Sequence, residues 1–461
     1  MINISDAVKE KLKIDYCKKD FSLVVNHSAI GVEGIYGDSL KITKQIMSET
    51  AEYIGCLSSC MEIKVSSGYL SKSDYNGAPV SLTMRVYMDD GTMSEYIPLF
   101  NGFVDSCEKS ADGKWQALVC YDILAYMGDT EIYNAYKKAF KELGSPLTVG
   151  AFRTYIVEQG IKIRQQSVTL PNDEVKIKKR LRRKNMTALE LMKHICQANG
   201  VYGYIDETGA FGYKVLSSSG PVEDIPYYRE LTYSHSVINP IKKGMTFRTN
   251  NNDAGVHVDW SDYQKYVTTD WDDSSTDHYI VDPDDEDVTE SAYIIQGNYI
   301  AYKLNASKKK VMLANMMRSI GNNITFRTYR AKCNGLPYLE CGDRIKFTSG
   351  SGEEIGPFVI TKRILEGTQI MTDTFECEIN TDYDVQDSSG SVSVSNEGNY
   401  VSDISGSNLP PEVSDSAQVA NILNDTEVMV VVSWDEATGI LETTSKLIKT
   451  ETDDTPAIEG T

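Results

Sequence analysis

One short segment restricts the fold more than any other. In VSLTMRVYMDD, Val80, Leu82, Met84, Val86 and Met88 alternate with Ser81, Thr83, Arg85, Tyr87 and Asp89. A period of two places the first set on one face of a strand and the second on the other, so one face covers a core and the other meets water. Asp90-Gly91 follows, a pair suited to the positive φ of a tight hairpin turn, and TMSEYIPLF returns. The same grammar recurs in GFVDSCEKS, the turn Asp112-Gly113, and KWQALVCYD. Residues 1–127 are therefore predicted to form an antiparallel, barrel-like or sandwich β domain.

The period then changes. In GDTEIYNAYKKAFKELG, Ile132, Ala135, Tyr136, Ala139, Phe140 and Leu143 recur at helical spacing, and Gly144 with Pro146 closes the helix. FRTYIVEQG reads as a second short helix ending at Gly160. Thr187-Ala188-Leu189-Glu190 fits a capping box, in which the Thr oxygen takes one orphan backbone N–H and the Glu reaches back to another. Leu191, Ile195 and Ala198 continue the apolar face, Asn199-Gly200 ends it, and VYGYID-ETG-AFGYKV reads as a hairpin. Residues 128–235 are predicted to be a small inserted α/β domain.

From 236 to 383 the pattern returns to β, with a helical interruption at about 288–320 that contains VMLANMMRSIGNN. FRTYRAK, Tyr338–Glu340, DRIKFTS, PFVITKRIL and DTFECEIN read as successive strands with glycine-rich corners. The last pair repeats the strand–turn–strand layout of FNGFVDSCEKSADGKWQALVCYD. The fold class is thus α+β and mainly β. Two β-barrel-like domains, 1–127 and 236–383, flank the inserted domain.

Composition agrees with a globular body: 41% hydrophobic and 24% charged, with no apolar run near the ~18 residues that span a bilayer. The N-terminus lacks a signal-peptide apolar core, which places synthesis in the cytosol with no membrane anchor. The net charge of −20 argues against a dedicated nucleic-acid binder. That charge is concentrated. From Asp384 onward there are 15 Asp/Glu and 2 Lys/Arg. Residues 384–414 are a Ser/Gly-rich linker. Residues 415–461 are a short acidic segment whose strand-like EVMVVVSW is too small to fold alone and is expected to dock on a partner or on its own copies.

Chemistry is sparse. The five histidines, His27, His194, His235, His257 and His278, lie in no GxSxG or HExxH context, and no phosphate-binding glycine loop is present. His194 falls within the capped helix, where a structural role is favoured. The nine cysteines contain no CxxC pair, and Cys56 and Cys60 have no histidine nearby, so free thiols in a core are favoured over a metal site. In WDDSSTDHYIVDPDDEDVTE, Asp282, Asp284 and Glu286 alternate as in some calcium loops. Asp287, however, stands where such a loop needs glycine, which favours a solvated loop. No catalytic residue, cofactor or metal is assigned. The basic run KIKKRLRRK holds Lys176, Lys178, Lys179, Arg180, Arg182, Arg183 and Lys184. It is a candidate contact for passing DNA or an acidic partner, with a solvated strand edge guarded by lysines as the other reading.

Four stretches carry a resemblance. NGLPYLECGDRIKF resembles a strand-opening phrase of the hub proteins of Gram-positive phage tails and contractile baseplates. GDSLKITKQIMSETAEYIGCLSSCMEIKV looks like their N-terminal segment. FNGFVDSCEK with ALVCYDILAYM is similar to their next hairpin, which leads through an aspartate into a helix. TALELMKHICQANGVYGYIDETGAFGY matches their helix–Gly–hairpin unit. Order and spacing agree over roughly residues 20–383. The baseplate or tail-tip hub family implies a non-enzymatic virion protein in which the two β domains form a homotrimeric ring of pseudo-sixfold symmetry. Such a ring would join the tail tube or distal tail protein to spike, fibre or other baseplate proteins, with tape-measure protein and genomic DNA in the channel. Several relatives continue into lytic or receptor-binding domains. Here the last cysteine is Cys377 and the last histidine His278, so a Cys-His peptidase or His-ligated zinc hydrolase has no residues in the extension. A tail-associated peptidoglycan hydrolase using body carboxylates, or a receptor-binding tail protein, are the alternatives.

Overall fold

The alternating segment is a strand, Pro79–Val86, with Val80, Leu82, Met84 and Val86 buried in strict alternation. The computed structural model describes residues 1–14, 17–46, 55–70, 75–178, 185–215, 221–225, 228–233, 244–249, 255–266, 293–302, 304–321, 325–348, 354–380, 426–435 and 440–449. Pro79–Val86 pairs antiparallel with Lys19–Val25 on one side and with Ile97–Lys109 on the other.

Among the described residues, fifteen strands share one sheet. Its first seven, in spatial order, are Ser28–Gly31, Lys19–Val25, Pro79–Val86, Ile97–Lys109, Trp115–Tyr121, Cys60–Ser66 and Lys41–Gln45. The order continues through Glu354–Glu366, Thr372–Asn380, Thr325–Asn334 and Tyr228–Tyr233 to Thr426–Asp435 and Ile440–Lys449. The two β regions read from sequence are therefore stitched edge to edge, with Lys41–Gln45 pairing residues 362–366 from Gln45↔Lys362 to Lys41↔Glu366. No closed barrel is found among the described residues, which corrects the barrel-like expectation. The physical reason is that an edge that would have closed one barrel instead pairs with the other region's long strand.

The repeated hairpin layout is visible. Ile97–Lys109 and Glu354–Glu366 are each 13 residues long, and each is followed by a turn and an antiparallel partner. Both carry bulges, between Val104 and Ser106 in the first and around Ile360 in the second. A bulge adds a residue to one strand and sharpens the local twist, so a 13-residue strand can bend and serve two neighbours along its length. Glu354–Glu366 does this by pairing Arg344–Thr348 with its first half and Lys41–Gln45 with its second.

Two strand expectations are corrected. Tyr338–Glu340 lies in consecutive turns, not in a strand. The interruption expected from 288 begins later: Tyr293–Gln296 is a strand parallel to Met245–Arg248, and the helix is Ala306–Ile320, ending at Gly321 with φ +82°. Val256–Val258 completes this small three-stranded sheet. Thr426–Asp435 pairs along its full length with Ile440–Lys449 and meets the body at Val431↔Glu230. The strand-like part of the C-terminal segment thus lies on the body sheet of its own chain.

The inserted region is organised by helices. Thr187 and Glu190 form the capping box in full, and Gly200 at φ +66° closes the helix Ala188–Asn199. Tyr133–Glu142 forms as expected. FRTYIVEQG starts earlier than read, at Val149 with Thr148 as N-cap, then widens into a π-helical turn over Ile156–Ile161. Tyr202–Ile205 and Phe211–Lys214 form the expected hairpin.

Candidate functional site

The stretch CNGLPYLECGDRIKF is where the chain's regions meet. Leu336, Tyr338 and Leu339 are buried in the core, and the turns around them leave backbone groups that need partners. Two aspartates supply these. Asp373 accepts from Leu336 N at 2.7 Å, and Asp343 accepts from Glu340 N at 2.7 Å. Arg363 holds Asp373 through two hydrogen bonds of 2.7 and 2.9 Å and donates to the carbonyls of Leu336 and Leu339. Glu340 accepts from Lys44 Nζ at 2.8 Å and lies 4.0 Å from Arg363. Lys214 donates to Cys341 O at 2.8 Å and pairs with Asp343 at 3.3 Å.

This junction binds three regions: Lys44, Lys214, Arg363 and the Met1 ammonium, 2.7 Å from Asp343, face Glu340, Asp343 and Asp373. Lys44 comes from the first β region, Lys214 from the inserted hairpin, and Arg363 and Asp373 from the second β region. Burial opposes the charge of Glu340, but Lys44, Lys214 and Arg363 outweigh it and hold the carboxyl below its ordinary value of 4.5. For Lys214, burial is likewise outweighed by Asp343 and Glu340, and its pKa is raised. A carboxyl depressed in the native state favours the folded chain most where it is ionised in both states. The contribution of Glu340 should therefore be complete above about pH 4.5 and fade as pH falls through its lower native value. Glu340→Gln should flatten that part of the acid limb in a pH series of denaturant titrations.

Gly342 sits at the crowded centre. Its φ is +84°, and a Cβ there would lie 1.8 Å from Tyr202 Oη, the hydroxyl that donates to Cys341 O at 2.6 Å. Gly342→Ala should cost on the order of 2–3 kcal/mol in unfolding free energy, because left-handed strain and overpacking act together.

The other stretches singled out above surround this point. Asp122, the aspartate of ALVCYDILAYM, caps the helix Ile123–Met127 through Leu124 N and accepts from Ser59 N and Ser58 Oγ. Gly203 N donates to Gly55 O at 2.6 Å, and a Cβ at Gly209 would lie 3.2 Å from Asn101 Oδ1. Cys56 and Cys60 do not converge on a common point. Cys56 Sγ faces Cys196 Sγ at 3.5 Å, while Cys60 bonds Tyr121. Burial, with Cys56 alongside, pushes the Cys196 thiol well above its ordinary value, so it behaves as a core thiol.

One constellation escaped sequence reading. Thr246 and His257 face each other across neighbouring strands, with Thr246 Oγ1 2.8 Å from Nδ1, and His257 Nε2 lies 2.9 Å from Asp259. A hydroxyl, imidazole and carboxylate in series is the arrangement of a nucleophilic triad. Thr246 is only 2% exposed, so no substrate reaches its oxygen in this conformation, and the set is a polar clasp that runs from the buried Thr246 to the exposed Asp259. Register made it, and no local motif announces register. His194 lies in the capped helix, where its carbonyl accepts from Asn298 at 2.8 Å. Among the described residues no group of three His, Cys, Asp or Glu could hold a metal, and no helix is long and apolar enough to cross a membrane.

Of the basic run, Lys176 and Ile177 form a two-residue strand against Leu147–Thr148. Ile177 is buried, Lys176 half-buried and Lys178 exposed. Lys179, Arg180, Arg182, Arg183 and Lys184 lie outside the described residues, as do the acidic run 271–290, His235 and His278.

No family model matches the chain, and no curated protein matches it. Solved structures do. A 43 kDa tail protein of prophage MuSo2 from Shewanella oneidensis aligns at TM-score 0.45 and 13% identity, over 78% of this chain and 98% of that one. Prophage tail protein gp18 from Listeria monocytogenes aligns at 0.43 and 12%, over 79% and 95%. A tail protein from Neisseria meningitidis aligns at 0.40 and 12%, over 78% and 96%. All three are tail proteins, and the likeness is distant.

Proposed function

We propose that this chain is a non-enzymatic structural hub of a phage tail tip or baseplate, assembling as a homotrimeric ring. One observation carries this reading. The four stretches that resemble hub proteins lie far apart in sequence, yet they contact one another around the buried junction. The resembling residues therefore build a rigid connection between regions, which is what a load-transmitting scaffold needs and what a catalytic cleft does not. In this reading the ring joins the tail tube or distal tail protein to spike, fibre or other baseplate proteins. Tape-measure protein and genomic DNA are held in its channel, and the protein is made in the bacterial cytoplasm and resides in the virion.

The basic run is assigned to the channel or a partner contact: Lys176, Lys178, Lys179, Arg180, Arg182, Arg183 and Lys184. Lys178→Glu with Arg182→Glu should impair particle assembly or DNA delivery while leaving the isolated chain's melting curve unchanged. Fully infectious particles carrying both changes would remove this role and leave a solvated strand edge. Zymography on purified cell wall tests the non-enzymatic reading. No clearing is expected, and clearing by the isolated chain would transfer the assignment to a peptidoglycan hydrolase.

A further inference from the structure

The two β regions repeat more than a hairpin. In the first, the spatial order is Pro79–Val86, Ile97–Lys109, Trp115–Tyr121, Cys60–Ser66 and Lys41–Gln45. In the second it is Arg344–Thr348, Glu354–Glu366, Thr372–Asn380, Thr325–Asn334 and Tyr228–Tyr233. The glycine turns that precede the first strand of each set also match. Gly77 N donates to Val104 O and Val104 N to Ala78 O, while Gly342 N donates to Ile360 O and Ile360 N to Asp343 O. Both glycines have positive φ, +75° and +84°.

The match breaks at one strand edge. The last residues of Glu354–Glu366, 362–366, pair along one edge with Lys41–Gln45. Their counterparts at the end of Ile97–Lys109, residues 105–109, pair with Trp115–Tyr121, and no described strand lies along the other edge. Burial follows the difference. Arg363 and Leu365 are buried, whereas no residue of 105–109 is, and Asp105, Glu108 and Lys109 are exposed. An open edge leaves backbone donors and acceptors for a further strand. The counterpart of Lys41–Gln45 is Tyr228–Tyr233. Among the described residues its outer edge meets Thr426–Asp435 at one position only, Glu230↔Val431.

We infer that Tyr228–Tyr233 of one copy adds antiparallel to residues 105–109 of the next copy. The contact repeats between copies the join that Lys41–Gln45 makes with 362–366 inside one. It rests on the trimeric reading above and names the strands that close that ring. Each copy offers a strand at one end and an edge at the other, a heterologous contact, which closes into a ring where the rotation fits. The charges of Asp105, Glu108 and Lys109 keep the waiting edge from pairing indiscriminately. In the single chain Thr426–Asp435 holds the strand, and the neighbour's longer pairing replaces that single bridge.

The test uses the full chain as a mixture of ¹⁵N-labelled and unlabelled copies carrying Glu108→p-benzoylphenylalanine, after light scattering has identified a species of three chain masses. Irradiation should join position 108 of one copy to the peptide holding Tyr228–Tyr233 of another. Glu62→p-benzoylphenylalanine, exposed on the sheet's face rather than its edge, should give no such product. In wild type, amide exchange over 105–109 should slow about tenfold or more on assembly. A trimer whose position 108 captures a different peptide, only its own copy, or nothing overturns the contact and leaves the ring standing. Should the Glu108 variant fail to assemble, unslowed exchange over 105–109 in the wild-type trimer overturns it equally. A mass of one chain at every concentration removes the ring, and this contact with it.

Discussion

Arg363→Ala is expected to lower the unfolding free energy by about 3–5 kcal/mol, among the largest effects of any single substitution in this chain. Arg363 is 3% exposed, and its partner Asp373 is fully buried. Removing the guanidinium deletes both bonds to Asp373 and strands a buried carboxylate that still accepts from Leu336 N. It also frees the carbonyls of Leu336 and Leu339, which no water reaches. Arg363→Met combined with Asp373→Leu should recover much of the loss, because replacing both charges leaves no buried ion without a counterpart. Guanidinium titration followed by tryptophan fluorescence measures all three variants. A single-mutant loss below about 1 kcal/mol would show that the junction does not hold the regions together.

The second large effect is expected from Tyr136→Ala. Tyr136 lies on the inward face of Tyr133–Glu142 and is fully buried. Its ring centroid is 5.1 Å from that of Phe140, 5.7 Å from Phe152 and 5.8 Å from Tyr299, and its hydroxyl bonds that of Tyr299. The ring thus fills the space between two helices of the inserted region and anchors the turn that follows Tyr293–Gln296. Truncation to Ala should cost about 3–5 kcal/mol, through lost burial and the cavity left behind. Tyr136→Phe keeps the ring and should cost only about 1 kcal/mol, the worth of the hydroxyl pairing. Equal losses from the two variants would mean that the hydrogen bond, not the packing, dominates.

Local grammar was the legible part of this fold. The alternation of Val80 to Val86, the Asp-Gly turns, the Thr187–Glu190 capping box and the helix-closing Gly200 each concern residues within a few positions of one another. Tyr338–Glu340 shows where that reading stops. Its composition suits a strand, yet Asp343 and Asp373 capture the backbone N–H groups of Glu340 and Leu336 that a ladder would use. Asp373 lies 37 residues from Leu336, and no window of local pattern contains that bond. The join of Lys41–Gln45 to residues 362–366 was hidden for the same reason, since an edge strand carries no mark of which distant strand it pairs with. At the junction, only the glycine-rich corners were visible. The charges that converge there come from segments far apart in the chain and become a site only once folded.

The central claim is that three copies of this chain assemble into a ring, and light scattering coupled to size exclusion tests it most directly. The chain has a mass of 51.3 kDa, so a ring of three should elute at about 154 kDa and hold that mass on dilution. A mass of one chain at every concentration, up to the most concentrated sample that stays soluble, would contradict the self-assembling ring.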